Sequence, residues 1–194
     1  MSLIGGEDGK VILAGLGKSG DVSVHDFRKS GAAVFASIKK VHGNDFTVRF
    51  TEAGVAHMAA FAEGMMLRNY SYDEYKMKDD EETEGEKQVR LTCSEKESEE
   101  LSALVNKYRG ITKGVHLSRD LGNCPPNDMY PEVFADMAWE WAKDFDNVDV
   151  TIINYEQAIK AGMGGLVAVG KGSSRKPCMV IFEMNKNVKG RCPV

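Results

Sequence analysis

Lys10–Phe50 reads KVILAGLGKSGDVSVHDFRKSGAAVFASIKKVHGNDFTVRF, and the order of patterns in it decides the fold class. KVILAGL (10–16) is a short apolar run closed by glycine, the pattern of a buried strand. Between Ser23 and Val41, the apolar residues Val24, Phe27, Ala32, Val34, Phe35 and Ile38 fall at roughly helical spacing. Asp21 or Ser23 can cap the start of that helix, and Gly43-Asn44 can stop it. FTVRF (46–50) alternates apolar and polar residues, as a half-exposed or edge strand does. Working outward, a second helix is expected over Glu52–Asn69, with Val55, Met58, Ala59, Ala62, Met65 and Met66 on its inner side. Strand, helix, strand, helix is the order of an α/β layer with parallel strands.

Charge then changes abruptly. Residues 71–100 hold 12 acidic and 5 basic residues, and Asp79–Glu86 (DDEETEGE) carries six acids in eight positions. Such a run repels itself and reads as a solvated loop, the expected first point of proteolytic attack. KQVRLTC (87–93) alternates again and reads as a strand returning to the first layer. Ser94 precedes Glu97 at capping-box spacing. The helix that follows is expected to reach about Leu121, burying Leu101, Leu104, Val105, Tyr108 and Ile111, and to connect two units. Pro125-Pro126 then stops it.

Helix 131–145 starts at Pro131 and presents Phe134, Met137, Ala138 and Trp141 on one face. Val148–Asn154 reads as a strand, Tyr155–Ala161 as a short helix, Leu166–Val169 as an apolar segment and Cys178–Met184 as a strand. The class is α/β with a mixed or parallel sheet in three layers. Three spans are expected: an N-terminal α/β domain at 1–93, a connecting helix at 94–122, and an incomplete second α/β unit at 123–194. Met1-Ser2-Leu3 reads as an added leader.

Composition narrows the function without naming it. The 194 residues carry 25 Lys plus Arg against 29 Asp plus Glu, a net charge of −4. No basic field favours nucleic acid. No apolar run approaches the ~18 residues of a spanning helix, and the first ten residues lack a secretory pattern. Cys93, Cys124, Cys178 and Cys192 form no C-x-x-C pair, which fits reduced thiols in a cytoplasmic protein.

Each local motif has a plain structural reading beside its chemical one. Gly15-Leu-Gly-Lys-Ser-Gly20 is a literal G-x-G-x-x-G between a strand and a helix, the form of a dinucleotide site. Its helix starts after the last glycine, however, and the acid near the next strand, Glu52, lies 32 residues beyond Gly20 rather than the usual ~20. A structural turn is the expectation. Lys171 in Val169-Gly-Lys-Gly172 has no acid or histidine cluster beside it. His116, Asp120 and Asp128 lack a defined ligand spacing, and the two acids flank a proline turn where Asp is ordinary. Ser173, Ser174 and the cysteines have no nucleophile context. Trp139 and Trp141 read as packing residues. No residue is assigned a catalytic, cofactor-binding or metal-binding role.

Ser118-Arg-Asp-Leu-Gly-Asn-Cys-Pro-Pro-Asn-Asp128 resembles the segment that opens the catalytic domain of the leucyl (cytosol) aminopeptidase family. Gly162-Met-Gly-Gly-Leu-Val-Ala-Val-Gly-Lys-Gly-Ser173 is similar to that family's "GMG-LLAVG-GS" segment, and Val11–Lys18 (VILAGLGK) to its "LVGLGK" segment. The strands at Asp149–Ile153 and Cys178–Glu183 follow in the same order. The resemblance implies a macro-domain-like N-terminal part and a parent enzyme that removes N-terminal residues from peptides. It also implies two divalent metals, Zn or Mn, a homohexamer and a cytoplasmic location. The family's metal motifs, "VGKG-TFD-GG" and "NTDAEGR", do not occur here: after Val169-Gly-Lys-Gly172 comes Ser-Ser-Arg-Lys-Pro. The chain therefore reads as a fragment with no metal ligands and no activity alone. The alternatives are a nucleotide- or ADP-ribose-binding α/β module using Gly15–Gly20, and an oligomerisation scaffold.

Overall fold

The computed structural model describes residues 2–6, 9–18, 20–77 and 86–184. Most of the acidic run (79–85), together with Cys192, lies outside the described residues. The chain divides into two compact units, Met1–Gly122 and Asn123–Val194.

In the first unit, β1 (Ser2–Gly6) pairs antiparallel with β2 (Gly9–Leu13), Ser2 opposite Leu13 and Leu3 opposite Ile12. Ser2 and Leu3 thus belong to a strand. β2 is also not the fully buried strand expected. Val11 and Leu13 are half exposed, while Ile12 packs against the core.

α1 (Val24–Ile38) begins at the Ser23 cap. The Ser23 hydroxyl accepts from the Asp26 N–H at 3.3 Å, and the Asp26 carboxylate accepts from the Ser23 N–H at 3.0 Å and from its hydroxyl at 2.6 Å. This reciprocal box satisfies donors that the first turn leaves over. Those bonds hold the Asp26 carboxyl below its ordinary range, the hydroxyl bond first. Gly43, at φ 108°, turns the chain out of the helix end in a region that suits glycine alone.

β3 (Asp45–Val48) and β4 (Gln88–Leu91) pair in parallel, Phe46 opposite Val89 and Val48 opposite Leu91. Their inner residues Phe46, Val48, Val89 and Leu91 meet Phe27, Val34, Phe35, Ile38, Ala60, Phe61 and Met65 of α1 and α2 (Val55–Arg68). The parallel α/β layer is therefore present. α2 is buried almost all round because its other side receives α3 (Glu95–Asn123), where Leu101, Leu104, Val105 and Tyr108 pack on Val55, Met58 and Ala59. Ile111 is 46% exposed, and Thr112 takes the buried place in the stripe. The Ser94 hydroxyl and N–H both donate to Glu97 at the start of α3.

α1 and α2 touch backbone to backbone. A Cβ on Gly31 would lie 2.0 Å from the Phe61 carbonyl oxygen, and one on Gly64 would lie 1.9 Å from that of Arg28. Beside this crossing, Arg28 Nε donates to Glu63 Oε2 at 2.6 Å; Glu63 is only 8% exposed.

In the second unit, α4 (Pro131–Ala142) buries Ala135, Ala138 and Ala142. Of the face expected to be buried, only Ala138 is so; Phe134, Met137 and Trp141 stand 38–42% exposed. Trp139 is half exposed as well, so neither tryptophan is a core residue of this unit. β5 (Val148–Ile153) and β6 (Met179–Met184) form an antiparallel ribbon, with Val150 opposite Phe182. Phe182 meets the Trp141 ring edge-on at 5.6 Å. α5 (Tyr155–Lys160) starts from an Asn154–Gln157 capping box. The apolar segment at 166–169 lies within a short helix, α6 (Gly164–Gly170). The described strands thus form three two-stranded ladders, one parallel and two antiparallel, within the α/β class.

Candidate functional site

The glycine loop between β2 and α1 is the first place to look for chemistry. Gly17 and Gly20 adopt φ values of 108° and 95°, so the loop needs glycine for its path. An open groove of about 350 Å³ lies beside it, lined by Gly15, Leu16, Asp26, Lys29 and Ser30 among others. A phosphate in such a loop would sit on the helix N-terminus and take its free N–H groups. Here the Asp26 carboxylate already holds the cap, and its negative charge lines the groove. α1 also starts four residues after Gly20. Isothermal titration with NAD or ADP-ribose is expected to show no micromolar binding. A micromolar constant abolished by Gly17→Val would contradict this.

Lys171 caps the C-terminal end of α6, and its side chain is exposed. The turn around it is tightly built. Lys176 Nζ donates to the carbonyl oxygens of Lys171 and Ser173 at 3.1 and 2.9 Å. A Cβ on Gly170 would lie 2.2 Å from the Pro177 ring, and Arg175 covers the Tyr130 ring at 3.8 Å. These contacts make a rigid turn whose lysine faces solvent.

Of the other candidates, His116 and Asp120 belong to the first unit and Asp128 to the second. His116 sits on α3 with its ring 5.2 Å from that of Tyr70, and its Nε2 is buried without a hydrogen-bond partner among the described residues, as is the hydroxyl of Thr112 one turn earlier. Asp120 is exposed on the same helix, while Asp128 lies in the other unit and accepts from Asn127 Nδ2 at 3.0 Å. Among the described residues no three His, Cys, Asp or Glu side chains gather as a metal group. Arg119, inside the proline-rich motif, donates to the Leu67 carbonyl at 3.1 Å and lies over the Tyr70 ring. It thereby caps the end of α2, a structural job that sequence reasoning did not assign.

Ser173 accepts from the Arg175 N–H at 3.1 Å, and all four histidines lie before residue 123, so no imidazole in its own unit can activate it. Cys178 donates to the Pro131 carbonyl at 3.2 Å. Burial, reinforced by Glu132, pushes its thiol above the ordinary range, the opposite of an activated nucleophile. Among the described residues, Cys93, Cys124 and Cys178 form no disulfide. An apolar cleft of about 650 Å³ does open in this unit, lined by Met163, Leu166, Val169, Cys178 and Met179 with two glycines. Among the described residues no helix is long and apolar enough to cross a membrane.

Comparison with known proteins supplies what the local geometry does not. Residues 2–79 match the N-terminal domain of the cytosol aminopeptidase family, and residues 116–194 match its catalytic domain. A probable cytosol aminopeptidase of Rhizobium leguminosarum bv. trifolii is 37% identical over 180 residues, 90% of this chain and 35% of that protein. One of Agrobacterium fabrum is 35% identical over 194 residues, 95% of this chain and 37% of the relative. The chain thus spans little more than a third of these relatives. Among solved structures, the bottromycin maturation enzyme BotP in complex with Mn superposes with a TM-score of 0.74 at 26% identity, covering 93% of this chain and 38% of that one. A tomato leucine aminopeptidase mutant superposes with a TM-score of 0.84 at 21% identity, covering 98% and 39%, and so shows likeness of fold. Two domain matches of one family, in the family's order and on either side of residues 80–115, leave one conclusion: the chain belongs to the cytosol aminopeptidase family.

Proposed function

We propose that this chain supplies the N-terminal domain and the opening of the catalytic domain of a metal-dependent leucyl aminopeptidase, which hydrolyses N-terminal residues from peptides. The observation that carries the reading is the pair of family matches at 2–79 and 116–194. The N-terminal domain is taken as 1–93, the connecting helix as 94–122 and the catalytic portion as 123–194. The parent enzyme is read as a cytoplasmic homohexamer that uses two Zn or Mn ions; one structural relative bears Mn.

Such ions lower the pKa of a bound water and polarise the scissile carbonyl. The described residues of this chain do not fit them. Among the described residues no three His, Cys, Asp or Glu side chains gather, Lys171 is exposed, and Cys178 is tied to a backbone carbonyl. A site for two such ions needs several converging N, O or S ligands. The 194 residues alone are therefore expected to have no aminopeptidase activity. Purified chain incubated with a leucine anilide and Zn²⁺ or Mn²⁺ should release no amine above the metal-only control. Turnover that co-elutes with the pure chain would overturn this.

A further inference from the structure

α3 is one helix with two unlike halves. Its first half is capped at Ser94 and packs Leu101, Leu104, Val105 and Tyr108 on α2. Beyond Tyr108 the sequence reads Arg-Gly-Ile-Thr-Lys-Gly-Val-His-Leu-Ser-Arg-Asp-Leu-Gly122. Thr112 is the buried residue of this stretch, while Ile111 and Leu117 stand exposed. A Cβ on Gly110 or Gly114 would meet nothing within 4 Å, so neither glycine serves a close approach as Gly31 and Gly64 do. Each weakens a helix about fivefold relative to alanine.

Two side chains in this half also favour its release. The Thr112 hydroxyl and His116 Nε2, one turn apart, are out of reach of water and have no hydrogen-bond partner among the described residues. A polar atom buried unpaired carries a desolvation cost that it recovers on meeting water. Contacts from the end of α2 oppose that release. The Tyr70 ring lies 5.2 Å from the His116 ring and 5.3 Å from the Arg119 guanidinium, which also donates to the Leu67 carbonyl at 3.1 Å. Leu67 and Tyr70 fall in the N-terminal family match, His116 and Arg119 at the opening of the catalytic one. We propose that α3 is hinged at Gly110–Gly114 and that Leu67 and Tyr70 latch its second half through Arg119 and His116. That half opens as one step while the first half stays folded on α2. Elements that move are drawn from the least stable parts of a fold. Opening changes the direction in which the chain leaves the first unit at Gly122.

Native-state hydrogen exchange of the full 194-residue chain, read amide by amide by NMR, tests this. Protection factors over residues 114–120 are expected to share one value, about tenfold or more below those over 99–108. Arg119→Met removes the carbonyl bond and the cation on the Tyr70 ring, and should lower protection over 114–120 by about a further tenfold. Gly110→Ala combined with Gly114→Ala should raise it by about tenfold or more. Thr112→Val removes an unpaired buried hydroxyl at nearly constant shape and should raise it by about fivefold. All three should leave residues 99–108 unchanged.

One common protection factor across 99–120 would overturn the proposal, because α3 would then open as a single rod. A graded fall in protection toward Gly122 would do the same, since that is the ordinary fraying of a helix end. So would a Thr112→Val chain that exchanges faster over 114–120, or a double glycine variant that shifts 99–108 as much as 114–120. Should Arg119→Met fail to fold, the Thr112 and glycine variants, both expected to stabilise, still decide the case.

Discussion

Gly64→Val is expected to unfold the first unit or leave it barely folded at room temperature. Its first added carbon would lie 1.9 Å from the Arg28 carbonyl oxygen, 2.8 Å from the Arg28 carbonyl carbon and 3.1 Å from the Ala32 nitrogen. All three are backbone atoms of α1, so no side-chain rotation can relieve the clash. The two helices must move apart, and Phe27, Phe35, Phe61 and Met65 in the same core lose contact as they do. Overpacking of this kind costs about 3 kcal/mol or more, a large part of the 5–15 kcal/mol that holds a typical domain. Gly31→Val meets the Phe61 carbonyl at 2.0 Å and should do similar damage. The two share one crossing, so their effects should not add. Gly110→Ala on α3 meets nothing within 4 Å and should stabilise by up to about 1 kcal/mol through helix propensity. Urea unfolding followed by circular dichroism separates these cases. A Gly64→Val protein with an unchanged midpoint would refute the helix crossing.

The second large effect concerns a charge. Arg28→Met should destabilise the first unit by about 3 kcal/mol, because the Glu63 carboxylate is left buried without its partner. The lower end of the range for buried pairs applies, since the Arg28 side chain is 32% exposed and water can partly replace it. At this size the loss corresponds to a fall in melting temperature on the order of 10 °C. Arg28→Met combined with Glu63→Leu removes both charges and should recover most of the stability. If the double variant is no better than the single, the ion pair is not the source of the loss.

These two contacts show where the sequence was legible and where it was not. Helix α1 and its stop were readable because cap, apolar spacing and glycine all point the same way at Ser23, Phe27 and Gly43. The parallel pair β3–β4 was readable from alternation. The ion pair was not, because Arg28 and Glu63 lie 35 residues apart with no local pattern joining them. The glycines did carry a signal: a mid-helix glycine costs about 1 kcal/mol against alanine, so two of them in packed helices mark a close backbone approach. On α3, hydrophobicity favoured Ile111, but the stripe through Leu101, Val105 and Tyr108 continues to Thr112. On α4 the small residues Ala135, Ala138 and Ala142 face inward, and the larger Phe134 and Met137 stand outside them. β1 was missed because Ser-Leu-Ile-Gly-Gly is short and ends in glycines.

The candidate site was legible in a different way. Periodicity and spacing yielded turns, and the structure has turns at Gly17 and Lys171, whereas the contact of Arg119 with the Leu67 carbonyl had no local signal. The enzyme family came from the resemblance of the segments at 118–128 and 162–173, because ligands that must converge on one metal are set by tertiary structure and not by local spacing.

The most direct test of the account is the hydrolysis of a leucine anilide with Mn²⁺ by a chimera. It would join residues 1–194 to the part of the Rhizobium leguminosarum relative beyond its match to this chain. The account predicts turnover by the folded chimera, loss of that turnover on chelation, and none from the 194-residue chain in the same assay. A folded chimera that is inert with metal, or a 194-residue chain that hydrolyses the anilide by itself, would contradict it.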